Sequence, residues 1–130
     1  MDYALLGSAE LAYLGDSVFE VMVREHLIRN GGVGAGNLNR MSLDYVRATA
    51  QSQAVEKILP LLSETEEGVF RRARNNIKSG VPKSASPVEY KRATGLEALF
   101  GYLFLSEQKE RMYELFAAAF DLRQTDPDES

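Results

Sequence analysis

The stretch LAYLGDS at residues 11–17 sets a carboxylate beside an apolar helical stripe. Leu11, Leu14 and Val18 recur at intervals of three and four residues, a spacing typical of one face of an α-helix. Asp16 lies close to that stripe. Burying an ionised carboxylate without a partner is costly, so such an aspartate usually binds a metal ion, another cation or backbone donors. From the local pattern alone, a capping or salt-bridged aspartate is an equally good interpretation.

Residues that begin and end helices recur along the chain and predict an all-α domain. No run of alternating apolar and polar residues between turn residues indicates a strand. Two Ser-x-x-Glu capping boxes lie at residues 63–66 and 86–89, while Gly31-Gly32 and Pro60 mark helix ends. We predict helices over residues 8–30 with Ser8 as the N-cap, 37–41, 43–59, from Ser63 through Ala73, from Ser86 to Leu105, and a last one capped by Ser106.

Length and composition limit the possible classes of protein. The chain has 130 residues, 45% of them hydrophobic, which suits one domain with a buried core. We predict that this domain spans residues 1–122 and that 123–130 form an acidic, disordered tail. The chain has no cysteine, which excludes disulfides and thiolate metal sites, and its one histidine, His26, excludes a site of paired histidines. Neither a membrane span nor a secretory signal is predicted, so we expect a cytoplasmic protein.

Positive charge is concentrated in one segment. The formal net charge is −4, yet residues 71–92 carry seven Lys and Arg against one Glu, a local charge of +6 that leaves −10 elsewhere. Local concentration of positive charge, more than the total, governs binding to a polyanion. A solvated helix face is the simpler interpretation, and cations also stabilise a helix C-terminus. That second effect accounts for one or two of the seven.

A second stretch, TGLEALFG at residues 94–101, completes a resemblance that begins with LAYLGDS. The two motifs resemble the halves of the ribonuclease III active site, where a Leu-Gly-Asp-Ser segment carries an aspartate and a glutamate precedes an Ala-Leu/Ile-x-Gly sequence. Their order, their separation and the chain length resemble Mini-ribonuclease III, the short form without a separate double-stranded-RNA-binding domain. The resemblance covers roughly residues 9 to 120.

This resemblance implies an all-α ribonuclease III endonuclease-type domain that forms a homodimer. It implies that Asp16 and Glu97 are catalytic and hold Mg²⁺, for which Mn²⁺ can substitute. The implied reaction cuts double-stranded RNA and leaves 5′-phosphate and 3′-hydroxyl ends, with the paired stem of precursor large-subunit (23S-type) ribosomal RNA as the usual substrate. The glycine-rich segment 31–36 lacks the Lys-Ser/Thr ending of a phosphate-binding nucleotide loop, so no nucleotide cofactor is expected.

The basic segment fits the same function. Residues 75–85 form a polar, basic connection that resembles the loop with which Mini-ribonuclease III reaches RNA. Double-stranded RNA is recognised mainly through phosphates, 2′-hydroxyls and shape, which suits a basic surface with few aromatics. The predicted RNA-binding residues are Arg71, Arg72, Arg74, Asn75, Lys78, Lys83 and Lys91.

Two departures from the full ribonuclease III pattern keep alternatives open. The resemblance leads one to expect acidic residues at positions 12 and 94, where this chain has Ala12 and Thr94. Fewer ligands put the number of metal ions in doubt and leave a non-catalytic RNA-binding module as an alternative. A helical dimer that binds proteins through its acidic surface is a third possibility. Glu20, one turn after Asp16, is open to either a water-mediated metal contact or a solvated surface role.

Overall fold

The described residues, 1–76 and 86–122 of a computed structural model, form six α-helices and no strand. The all-α prediction is confirmed. The predicted tail at 123–130, together with Lys78 and Lys83, lies outside the described residues. The helices are α1 (Ser8–Arg29), α2 (Ala35–Val46), α3 (Ala48–Ile58), α4 (Glu64–Asn75), α5 (Pro87–Leu105) and α6 (Lys109–Ala119), with single 3₁₀ turns at Tyr3–Leu5 and Leu59–Leu61.

Helix α5 is the central element. Between Ala93 and Leu103 its buried residues fall on every side of the helix, because α1, α3, α4 and α6 all pack against it. The most extensive of these contacts is with α1. Within the two described ranges, no helix combines the length and the apolar character needed to cross a membrane.

Aromatic side chains fill the main core. The ring of Phe19 on α1 lies 5.7 Å from that of Phe100 and 5.9 Å from that of Phe116, measured between centroids. These tilted and edge-on arrangements are the favourable geometries for aromatic pairs. A second, smaller cluster of buried residues lies at the other end of α1 and consists of Ala4, Leu11, Val69, Ala73 and Ala98.

The ends of α1 are defined by glycines. Helix α1 begins at Ser8 with Gly7 as its N-cap, so the prediction of Ser8 as N-cap is wrong by one residue. At its other end Gly31 has φ +88°, and the Gly32 N–H donates to the carbonyl of Leu27 at 2.9 Å. This glycine-terminated arrangement satisfies the last carbonyls of the helix, as the Gly31-Gly32 pair predicts.

Two further predicted boundaries are wrong. The sequence pattern predicts a break between residues 41 and 43, whereas the structure has it at Arg47, whose ψ of 146° interrupts the helical path. No glycine or proline marks this position, and the break separates α2, which packs on α1, from α3, which packs on α5 and α6. Ser106 terminates α5 and does not cap α6, because its hydroxyl donates back to the carbonyl of Tyr102 at 2.7 Å. Gln108 occupies the N-cap of α6.

The two predicted serine caps on α4 and α5 are present. Ser63 and Glu66 form the complete capping box, with both reciprocal hydrogen bonds. The side chain of Ser86 accepts from the backbone N–H of Glu89, and Pro87 follows at the first helical position. These caps fix where α4 and α5 begin, and thus the register of the residues that follow along α5.

Candidate active site

A pair of glycines brings α1 and α5 into backbone contact. A Cβ added at Gly15 would overlap the carbonyl oxygen of Glu97 and lie 2.9 Å from the backbone nitrogen of Gly101. A Cβ added at Gly101 would overlap the carbonyl oxygen of Leu11. Both positions therefore have no room for a side chain, and the two helices cross more closely than ordinary side-chain packing allows.

This crossing brings Asp16 and Glu97 together. Asp16 follows Gly15 on α1 and is exposed, while Glu97 on α5 is half-buried. Burial, a hydrogen bond to Asp16 and the negative charges of Asp16 and Glu20 raise the pKa of Glu97 to about 9. Beside Asp16, Glu97 is favoured in its protonated form unless a bound cation compensates the negative charge.

Glu20 faces the same place from one turn further along α1. Its charge contributes to the raised pKa of Glu97. Its carboxylate also accepts a hydrogen bond from Arg24 at 3.1 Å, which makes an ion pair within α1. Glu20 thus has an intrahelical partner, and both roles left open for it by the sequence stay predictions.

The donor set suits a hard divalent cation. Carboxylate oxygens are the protein ligands that Mg²⁺ prefers, and Mg²⁺ commonly takes only one or two of them beside water and phosphate oxygens. Among residues 1–76 and 86–122, no group of three or more His, Asp or Glu side chains is arranged to hold a metal. The candidate site therefore offers two carboxylates, and a cation held there would take its other ligands from water and substrate.

The predicted RNA-binding arginines are partly engaged within the protein. Arg71 pairs with Glu67 at 3.7 Å, and Arg72 donates to the carbonyl of Ala4 at 2.7 Å. Arg74 lies over the ring of Phe70, with its guanidinium carbon 5.7 Å from the centroid. These contacts hold the guanidinium groups near the end of α4.

Of the other predicted RNA-binding residues, the structure describes Asn75 and Lys91 but not Lys78 and Lys83. Asn75 is exposed at the last residue of α4, where its side-chain oxygen accepts from Arg74 at 3.2 Å. Lys91 is exposed on α5. Arg92, counted in the basic segment, forms an ion pair with Glu56 on α3. Lys78 and Lys83 lie outside the described residues, so their placement stays a prediction.

Comparison with known proteins assigns the family. The Ribonuclease III domain family matches residues 9–108 of this chain, a range that includes both Asp16 and Glu97. This chain belongs to the ribonuclease III family. It is 50% identical over 111 residues to the Mini-ribonuclease 3 of Symbiobacterium thermophilum, a match that spans 85% of each chain. It is 40% identical over 116 residues to the Mini-ribonuclease 3 of Enterococcus faecalis, spanning 88% of each.

A solved structure supports the same assignment. The crystal structure of a protein from Fusobacterium nucleatum superposes with a TM-score of 0.77 at 33% identity, covering 85% of this chain and 89% of that one. The resemblance to Mini-ribonuclease III is therefore confirmed, and with it the ribonuclease III fold and a place among ribonucleases.

The two departures from the ribonuclease III pattern have distinct surroundings. Ala12, one turn before Asp16, packs against the cluster that contains Leu11 and Val69. Thr94, one turn before Glu97, donates its hydroxyl to the carbonyl of Tyr90 at 3.0 Å within α5. Neither position supplies a carboxylate, so Asp16 and Glu97 are the acidic residues that the two motifs contribute to the candidate site. The close approach at Gly15 and Gly101 was not recognised from the sequence, although a glycine inside each apolar helical run was visible there.

Proposed function

We propose that this chain is a divalent-cation-dependent endoribonuclease that cuts double-stranded RNA in the cytoplasm. The observation that carries the proposal is the convergence of Asp16 and Glu97 across the crossing of α1 and α5. Carboxylates brought together with a strongly raised pKa on one of them are typical of catalytic and cation-binding sites. The membership in the ribonuclease III family supplies the class of substrate.

The proposed reaction is hydrolysis of a phosphodiester. A water oxygen adds to phosphorus, the bond from phosphorus to the 3′ oxygen breaks, and the departing oxygen takes a proton, leaving 5′-phosphate and 3′-hydroxyl ends. A bound Mg²⁺ or Mn²⁺ supplies water activation and neutralises charge on the phosphoryl oxygens. Asp16 and Glu97 hold the cation, and the exposure of Asp16 opens the site toward substrate. The half-buried position of Glu97 fixes its carboxylate relative to α1.

The RNA is held by the basic end of α4 and the residues that follow. Exposed Arg71 and Asn75 and exposed Lys91 provide donors for phosphate and 2′-hydroxyl oxygens. This binding depends strongly on salt, because each phosphate contact releases counterions. The natural substrate we propose is the paired stem of precursor 23S-type ribosomal RNA, a specificity that rests on the similarity to Mini-ribonuclease 3 proteins.

We include a homodimer in the proposal because of an exposed apolar surface on α1, α5 and α6. Three large side chains of this surface are exposed: Val21 at 65%, Phe104 at 43% and Tyr113 at 45%. A pocket of about 360 Å³ opens beside them, lined by Leu14, Met22 and Met112 among others. A contiguous apolar surface of this kind marks an interaction site, and a second copy of the chain is its proposed occupant.

The decisive experiment is cleavage of a long double-stranded RNA at low salt with Mg²⁺. We expect short products from the wild type and none with a chelator, and loss of cleavage of at least about a thousandfold in Asp16→Asn and Glu97→Gln, since each removes one of the two ligands. Asp44→Asn, the same change at an exposed site on α2, serves as the control and retains wild-type activity.

The same assay separates the alternatives. RNA that is bound but stays intact in every lane would favour the non-catalytic RNA-binding module, with Ala12 and Thr94 as the physical reason. Equal cleavage by wild type and Asp16→Asn would contradict the assignment of the site. For the substrate, we expect the paired stem of precursor 23S-type RNA to be cut at discrete positions, and faster than an unrelated duplex of equal length. Equal rates would contradict that specificity.

A further inference from the structure

Three charged residues follow one another along α1 at intervals of four. They are Asp16, Glu20 and Arg24. Residues four apart lie on the same face of an α-helix, one turn and about 6 Å from each other along its axis. Asp16 and Arg24 are exposed, and Glu20 is half-buried. Glu20 therefore lies between a residue of the candidate active site and a guanidinium group.

The carboxylate of Glu20 is held by Arg24. The Arg24 guanidinium donates to Glu20 Oε2 at 3.1 Å. A glutamate four residues before a cation is the favourable order for such a pair in a helix. The side chain of Glu20 is 44% exposed and that of Arg24 is 66% exposed, so water reaches both groups. An ion pair this exposed is weak, and the carboxylate can accept further hydrogen bonds from water.

Glu20 also acts on the carboxyl group across the helix crossing. Burial and Asp16 are the main causes of the raised pKa of Glu97, and the negative charge of Glu20 adds to them. The two glutamates therefore lie close enough for their charges to interact. In the two described ranges, no three acidic side chains are arranged to hold a metal ion together. Glu20 thus borders the two carboxylates of the candidate site and is not a third direct ligand.

The charges of these four side chains do not balance. When Asp16, Glu20 and Glu97 are ionised, three negative charges stand against the one positive charge of Arg24, a sum of −2. One divalent cation neutralises that sum. Loss of the Glu20 charge reduces the sum to −1, whereas loss of the Arg24 charge raises it to −3. The ion pair therefore adjusts the attraction of the site for a divalent cation in both directions.

The exposed carboxylate of Glu20 also suits contact with water on a cation. Mg²⁺ loses its waters reluctantly and usually keeps several of them when bound to protein. Acidic side chains just beyond the direct ligands commonly accept hydrogen bonds from the bound groups and orient them. Glu20 is one helical turn from Asp16 and has this chemistry. Because Arg24 is bonded to the same carboxylate, it limits the negative charge that Glu20 presents.

We propose that Glu20 and Arg24 together set the affinity of the candidate active site for a divalent cation. Glu20 strengthens the attraction and accepts hydrogen bonds from water on the cation. Arg24 is a positioning residue that holds Glu20 and weakens the attraction, so that the cation stays exchangeable. The inference rests on the proposed function and adds to it a pair of residues outside the two direct ligands.

The test measures binding of Mn²⁺ to the full chain without RNA, through loss of the electron paramagnetic resonance signal of free Mn²⁺. In about 20 mM KCl, we expect Glu20→Gln to weaken binding about tenfold, because it removes a charge one turn from Asp16. Arg24→Gln should tighten binding about twofold and Arg24→Glu about fourfold, since Arg24 lies about 12 Å from Asp16 along the axis. Tighter binding is a result that mere loss of structure does not produce. In about 300 mM KCl these effects should shrink, because salt screens them.

Two control variants match these substitutions. Arg29 pairs with Glu25 at 3.8 Å in the same i, i+4 geometry, but it lies about 20 Å from Asp16 along α1. Arg29→Glu should therefore change Mn²⁺ affinity less than about twofold. Glu64→Gln repeats the change made at Glu20 at an exposed position on α4 whose charge does not contribute to the raised pKa of Glu97. It should leave the affinity unchanged.

The outcomes separate this inference from the proposed function. Wild-type Mn²⁺ affinity in Glu20→Gln would overturn it, and so would Arg24 variants that bind Mn²⁺ no more tightly than the wild type. Equal gains in Arg24→Glu and Arg29→Glu would also overturn it, since the effect would then report total charge alone. A wild type that binds no Mn²⁺ without RNA would do the same. In each of these cases, Mg²⁺-dependent cleavage that is lost in Asp16→Asn would leave the proposed function standing.

Discussion

An added methyl group at Gly15 would occupy space that the backbone of α5 already fills, since it would overlap the carbonyl oxygen of Glu97. Gly36, on α2, is the opposite case, because nothing lies within 4 Å of the Cβ that it lacks. The two glycines are both helical, and neither has a positive φ. They differ in what surrounds them, so one substitution probes the crossing of α1 and α5 while the other probes helix propensity alone.

We expect Gly15→Ala to lower the free energy of unfolding by about 3 kcal/mol, because α1 and α5 must separate to accommodate the methyl group. Gly36→Ala should instead stabilise the protein by about 0.5 kcal/mol, the usual gain from replacing an unhindered helical glycine. Urea denaturation of the wild type and both variants measures the two changes in the free energy of unfolding. Similar effects from the two substitutions would contradict the close crossing.

Glu66 is the buried carboxylate that the fold stabilises in its ionised form. It accepts from Arg111 at 2.8 and 2.9 Å and from the backbone N–H of Ser63 at 2.8 Å. The hydrogen bonds from Arg111 outweigh burial and hold the pKa of Glu66 below its ordinary value. Because this pKa is depressed in the folded state, the stabilisation is present above the unfolded-state pKa of about 4.3 and is lost as the pH falls through the folded value.

The Glu66 pair predicts a difference in acid stability. The free energy of unfolding of the wild type should fall more steeply than that of Glu66→Gln as the pH drops from about 5 to about 2. Glutamine keeps the capping geometry but carries no charge to protonate. Glu64→Gln, at an exposed position two residues earlier, is the control and should follow the wild-type profile. Parallel profiles for wild type and Glu66→Gln would refute the assignment.

Among the helices, the C-terminal ends of α1 and α5 have the same hydrogen-bonding arrangement, although different residues form it. After α1, Gly31 takes the left-handed conformation; after α5, Glu107 takes it with φ +59°. The Gln108 N–H donates to the carbonyl of Leu103 at 2.9 Å, which matches the bond from Gly32 to Leu27. A left-handed conformation is strained for a residue with a Cβ, so the end of α5 carries a cost that the end of α1 avoids.

Replacing Glu107 with glycine should relieve this strain and raise the free energy of unfolding by about 1 kcal/mol. The same substitution three residues later, Glu110→Gly in the first turn of α6, should lower it by about 0.5 kcal/mol, because glycine disfavours a helix. Thermal denaturation of the two variants under identical conditions gives the sign of each effect. Destabilisation by Glu107→Gly would show that its side chain contributes more than the backbone strain costs.

For the whole molecule, the question is what covers the apolar surface of α1, α5 and α6. Val21 lies on this surface and is 65% exposed, whereas Val33 is 78% exposed in the connection between α1 and α2. If a second copy covers this surface, Val21→Asp should raise the dimer dissociation constant at least about a hundredfold, because it would bury an unpaired charge. Val33→Asp should leave it unchanged.

Sedimentation velocity over a range of protein concentrations measures the dimer dissociation constants of the wild type and of both variants. A wild type that sediments as a monomer throughout would contradict the homodimer, and so would equal effects of the two aspartates. Cleavage should decline together with dimerisation, since the proposed double-strand cut needs one centre for each strand.

Much of the local structure follows from the sequence by itself. Hydrogen bonds that span a few residues satisfy the backbone groups at several helix ends. They form at the capping box of Ser63, at the serine cap of Ser86 and at the glycine pair after α1. Such rules act within one turn, so they can be applied to the sequence directly. The all-α class and the apolar stripes follow for the same reason, and the two motifs identify the family.

Other features depend on packing between distant segments, which no local rule contains. The break at Arg47 has no glycine or proline to mark it. Ser106 ends α5, although a serine at this position also suits the start of α6. Arg72 turns toward the carbonyl of Ala4 because the N-terminal turn docks on α4. The meeting of Asp16 with Glu97 was implied by resemblance alone, and the tertiary structure supplies its physical cause: two helices far apart in the chain approach closely where each lacks a side chain.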